Sequence, residues 1–127
     1  MKHFFRLLAS SPALAGILLH GYTAFVMHEG YSYLSWKIFL YSCFSYVICW
    51  TIAALINPLA GFFGALAALI DDMIVFHDVF IAPTHSTAPI SLLFAPMANL
   101  ILFVPVGLFI GWCVDRGGRA YRSRRPT

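Results

Sequence analysis

Apolar residues run through this chain in four long blocks separated by short polar breaks. A helix that crosses the ~30 Å hydrocarbon core of a bilayer needs about 20 mainly apolar residues. The first block covers 10–27, with Pro12 in its opening turn, where proline is tolerated. It stops at His28, Glu29 and Gly30, and 31–36 is rich in Tyr, Ser and Trp, as in an interfacial belt. The second block, 37–56, stops at Asn57-Pro58, a strong turn signal. The third, 59–82, is closed by Pro83, and after the polar loop 84–87 the fourth covers 89–114. Only helices and closed barrels satisfy the backbone in hydrocarbon. Barrel strands would show alternating segments of roughly ten residues, whereas these blocks are about twice that length and do not alternate. The pattern predicts an all-α fold: an integral membrane four-helix bundle forming a single transmembrane domain over 1–127. Pro96 and Pro105 should kink the fourth helix.

Composition strengthens this picture. The chain is 61% hydrophobic and 10% charged, against about a quarter charged in a soluble domain. Between Ile38 and Phe76 the charged residues are Asp71 and Asp72. The expected partners are therefore the lipid bilayer, other membrane subunits or further copies of the chain, and nucleic acid is not among them.

Charge then sets orientation. The tail 115–127 carries Arg116, Arg119, Arg122, Arg124 and Arg125, and the start carries Lys2 and Arg6. The positive-inside rule places both ends in the cytoplasm, which an even number of spans requires, with Lys37 the exception on the outer side. A bacterial inner membrane is the expected location. The basic tail has the chemistry to meet anionic lipid headgroups, although such tails more often only fix topology. Lys2, His3 and Arg6 followed by Ala13-Leu14-Ala15 resemble a signal peptide. Arg6 interrupts the apolar core of that motif, and Ser10, Ser11 and Pro12 follow at once, so an uncleaved cytoplasmic start is expected.

Helices in lipid associate through small residues that allow close approach. Ala60, Gly64 and Ala68 form such a stripe, with Asp72 next in the series, and Gly107 and Gly111 form another. The stripes should face other helices, in the chain or across an oligomer, and they turn Asp72 toward protein. Cys43, Cys49 and Cys113 have no metal or redox spacing and read as small buried hydrophobes.

Polar residues fall at two depths. At ~1.5 Å per residue, Asp71 and Asp72 lie roughly 18 Å into the third span, near the midplane. His20, Tyr46 and Asn99 reach the same level on the other spans. An outer layer holds His28, Glu29, His77, Asp78 and His85. Ionisable groups at such depth cost ~2.5–3.5 kcal/mol on insertion scales and are functional candidates by default. Asp71 and Asp78, seven apart, share a helix face, while Asp72 and His77 lean to either side of it.

Three readings follow. Carboxylates with imidazoles suit a divalent transition metal, with His28, Glu29, Asp71, Asp72, His77, Asp78 and His85 as the candidate ligands, although no HExxH or i, i+4 histidine pair occurs. Alternatively the layers form a proton or cation path carried by Asp71 or Asp72. Otherwise the groups only satisfy one another and the carbonyls freed by the prolines, which makes the chain a non-catalytic scaffold subunit. No nucleophile arrangement, phosphate loop, dinucleotide fingerprint or GxSxG motif is present. The expected role is a small subunit of a membrane complex, or a homo-oligomer, with an acidic and histidine cation site. The stretch from Asn99 to Gly107 resembles a segment of VanZ-like membrane proteins over nine residues. No site or activity is carried over from that resemblance.

Overall fold

The computed structural model describes residues 2–27, 33–83 and 88–123, and all the elements formed by those residues are helices. Helix α1 (Lys2–Ala9) leads through Ser10, whose hydroxyl donates to the Arg6 carbonyl at 2.9 Å, into α2 (Ser11–Tyr22). The last turn of α2 widens into a π-helical turn, Thr23–Met27. Helix α3 (Tyr33–Leu55) returns, and α4 (Pro58–Phe76) follows after a turn of two residues, Ile56 and Asn57, and ends in a second π turn, His77–Ile81. Helices α5 (Ala88–Ala98) and α6 (Val104–Ser123) are continuous through a third π turn, Asn99–Phe103.

Three of these helices are long and apolar enough to cross a membrane: Trp36–Leu55, Pro58–Ile81 and Ile90–Ser123. The predicted first span, 10–27, is met by an apolar but shorter helix, Ser11–Met27. The predicted end of the fourth span at 114 is passed without a break. Helix α6 carries Asp115, Arg116, Arg119 and Arg122 onward to Ser123. Local side-chain contacts support this extension: Arg119 pairs with Asp115 one turn earlier, and the Arg116 guanidinium lies 4.6 Å from the Trp112 ring centre.

The distribution of side chains is consistent with a membrane protein. Leu40, Leu55, Ile74, Ile101 and Phe109 are exposed, whereas the buried set is mostly Ala, Ser, Cys and Gly, joined by Pro12, Tyr46, Asp72, Asn99 and Val104. Lipid tails are as apolar as leucine, so burial of large side chains drives nothing and close approach decides the packing. Both small-residue stripes are consumed within the chain. Gly107 lies against Phe63 and Gly64, and Gly111 against Leu59 and Ala60, so α4 and α6 run antiparallel with their backbones nearly touching. On the other side of α4, Gly61 packs on Cys49 and Ala53 of α3.

One end of the bundle is closed by a polar latch. Asn57 caps α4, accepting from the Ala60 N–H at 3.1 Å, and its amide donates to Asp115 on α6 at 2.8 Å. Arg119 completes the cluster. The N-terminal end of α2 lies at this same end, because α2 runs antiparallel to α3.

The π turn at Asn99 has a local cause. Pro105 lacks an N–H and its ring crowds the carbonyl one turn back. Inside the turn the Val104 N–H bonds the Asn99 carbonyl, a five-residue step in place of four. The prolines therefore widen the helix at one point, and the residue at the head of that widening is Asn99.

Candidate functional site

Helices α2, α3 and α4 and the π turn between α5 and α6 each send one polar side chain to a single point. Asp72 of α4, 4% exposed, sits at its centre. Its Oδ2 accepts from the Tyr46 hydroxyl of α3 and lies 2.9 Å from His20 Nε2 of α2. Its Oδ1 accepts from the Asn99 amide at 2.8 Å. Tyr46 and Asn99 have no measurable exposure, and the His20 ring tilts against the Tyr46 ring at 5.6 Å between centres. Of the residues that the sequence puts at one depth, His20, Tyr46, Asp72 and Asn99 thus meet and Asp71 does not, with Asp72 taking the inward place at the head of the Ala60–Gly64–Ala68 stripe.

Of the remaining predicted site residues, the described ones, Asp71, His77 and Asp78, do not join this node. Asp71 is half-buried and makes no hydrogen bond among the described residues. His77 and Asp78 are both exposed and approach each other only at 3.5 Å, too long for a firm hydrogen bond. The face shared by Asp71 and Asp78 was inferred from unbroken α-helical rotation. The π turn that begins at His77 changes that rotation just where Asp78 lies. His28, Glu29 and His85 lie outside the described residues. Among the described residues no three His, Cys, Asp or Glu side chains gather as a metal would require.

A cavity of about 250 Å³ adjoins the node. It is bounded by the segments of α2, α3, α4 and α5 that lie between Asp72 and the end of the bundle opposite the Asn57–Asp115 latch. Phe39, Phe76 and Leu93 give it apolar walls, and His20, Ser42 and Asp72 give it a polar end. The same bundle is therefore tight at one end, where glycines meet backbone, and open at the other.

Two polar atoms at this site have no partner among the described residues. Asn99 Oδ1 is fully buried without a hydrogen-bond partner. His20 uses Nε2 toward Asp72, and its other ring nitrogen has no partner. A buried acceptor left unpaired costs about 1–3 kcal/mol, so the node as a whole is short of donors.

Sequence reasoning missed Gly16. A Cβ at this position would fall inside the Tyr46 ring, so glycine is what lets that ring lie between α2 and α3 and reach Asp72. The available signal was one of the two glycines of the first span standing at the level of an aromatic residue on the second. Gly16→Ala is expected to displace Tyr46 and cost ~1–3 kcal/mol of stability. A double-mutant cycle with Tyr46→Phe checks this by unfolding in mixed micelles. Strong coupling is expected, and additive effects would mean that the ring does not need the space.

No known family model matches the chain, and no curated protein or solved structure matches it.

Proposed function

We propose that this chain is a small polytopic membrane protein working as a subunit of a larger membrane assembly or as a homo-oligomer, with the His20–Asp72 pair as its proton site. The observation that carries the reading is a carboxylate 4% exposed, 2.9 Å from an imidazole nitrogen, among helices of membrane type. One proton between Nε2 and Oδ2 can reside on either partner. Tyr46 and Asn99 hold the carboxylate still by donating to it. The other titratable groups nearby are Asp71 on α4 and Cys43 on α3. A proton needs only the pair, whereas a transition metal would need further ligands.

Asp71 supports the assembly half of the proposal. A half-buried carboxylate without a hydrogen bond at this depth costs ~2.5–3.5 kcal/mol, and a helix of a neighbouring subunit would relieve that cost. The basic residues at the latch end support cytoplasmic termini, so the cavity belongs to the outer half of the bilayer.

The rival reading is a scaffold whose polar residues only tie helices together, and it is favoured by the arrangement of one node member per segment. Infrared difference spectra between acid and alkaline samples separate the two. A carboxylic acid C=O band that follows pH, and is missing in Asp72→Asn, is the expected result. An Asp72 fixed in one protonation state across the range where the protein stays folded would sink the proton site and leave the scaffold.

A further inference from the structure

We infer that the cavity beside the node binds a neutral amphiphile carrying a phenolic hydroxyl, held by His20 and Ser42. The inference rests on the reading of His20–Asp72 as a proton-accepting pair and names the ligand class of that site.

Size comes first. An engineered apolar cavity of ~150 Å³ accepts benzene, so about 250 Å³ accommodates one ring with a short substituent. Phe39 and Phe76 supply aromatic walls of the kind that favour a ring over an acyl chain.

Chemistry at the polar end then selects the head group. Ser42 lines the cavity at 3% exposure, and its hydroxyl makes no hydrogen bond among the described residues. His20 lines it too, with Nε2 committed to Asp72. When Asp72 is ionised, Nε2 carries the proton and Nδ1 presents a lone pair. A hydroxyl can donate to that nitrogen and accept from Ser42 with the same oxygen. An anionic head is disfavoured by Asp72, and among the described residues no Lys or Arg lines the cavity to offset it. A cationic head finds the Asp72 oxygens already holding three contacts, from Tyr46, His20 and Asn99. The neutral donor fits best.

The probes are 4-propylphenol and its methyl ether, which match in ring and tail and differ in the donor. Binding is read from the ring ¹⁵N resonances of His20 in protein reconstituted into nanodiscs. The phenol is expected to shift the His20 resonance saturably and to bind at least ~10-fold more tightly than the ether, the worth of about one hydrogen bond. Ser42→Ala should weaken the phenol several-fold and leave the ether unchanged. Ala95→Leu, at a buried position of the cavity wall, should abolish both. Equal affinity for the two probes would overturn the proposal in favour of an apolar chamber for lipid tails, and absence of saturable binding by either would overturn it outright. The infrared measurement on ligand-free protein keeps the two readings apart. An Asp72 that titrates in a protein indifferent to the phenol removes only the ligand, whereas an Asp72 that never titrates removes the proton site.

Discussion

Replacing Asp72 by alanine is expected to destabilise the protein by ~2–5 kcal/mol, because Tyr46 and Asn99 lose their common acceptor and His20 loses its hydrogen-bond partner. Interhelical hydrogen bonds in membrane proteins are individually weak, averaging ~0.6 kcal/mol with a maximum near 1.7. Three of them, together with the orphaned Tyr46 and Asn99 side chains, bring the total into that range. Asp72→Asn keeps an acceptor for one or two donors and should cost less than half as much. Denaturant titration in mixed micelles, followed by circular dichroism, measures both. A loss below ~1 kcal/mol for Asp72→Ala would mean that the donors find other partners in the unfolded membrane state, as happens in other helical membrane proteins.

The second large effect is expected at the α4–α6 contact. A Cβ on Gly107 would stand 2.8 Å from Gly64 Cα, and one on Gly111 would stand 2.6 Å from Ala60 Cα. Both obstacles are backbone, which cannot rotate aside as a side chain can, so the helices must move apart. Overpacking costs ~1–3 kcal/mol per site, which puts the Gly107→Ala, Gly111→Ala double variant at ~2–6 kcal/mol less stable than wild type. Gly117 and Gly118 on the same helix meet nothing within 4 Å. Alanine there should be neutral or stabilising by up to ~1 kcal/mol, since it is the better helix former. The same micelle titration on the two double variants tests the contrast. Similar stability for both would show that α6 does not rest on α4 through these glycines.

Separation of the helices would also reach the site. Asn99 stands on the helix that Gly107 and Gly111 seat, and its amide holds Asp72 Oδ1. The stripe of small residues and the polar node are parts of one arrangement: close approach on one side of α4 sets the position of the donor that closes the node.

Much of this was legible in the chain. Blocks of apolar residues, ended by Asn57-Pro58 and Pro83, determined the helices, because a backbone without water must bond to itself and proline and polar runs end that bonding. Counting residues into each span put His20, Tyr46, Asp72 and Asn99 at one depth, because helix rise is constant. The four-residue spacing of Ala60, Gly64 and Ala68 pointed Asp72 inward for the same reason. Rotation was less secure. The expectation that Asp71 and Asp78 share a face assumed α-helical turns throughout, and three π turns, at Thr23, His77 and Asn99, reset the rotation.

Only the tertiary structure decided which groups hold Asp72. The small-residue stripe turns Asp72, and not its neighbour Asp71, toward protein, but it does not say which side chains lie there. Packing of α4 between α3 and α6 brings Asp72 to His20, Tyr46 and Asn99 and leaves Asp71 without a hydrogen bond among the described residues. The space Gly16 leaves for Tyr46, the latch of Asn57 on Asp115, and the open half of the bundle beside His20 were likewise fixed by contacts between segments 26 or more residues apart. Periodicity along one helix says which residues share a face. The partner of that face is set by the neighbouring helix, and here that partner turned a row of polar residues at one depth into a bonded site.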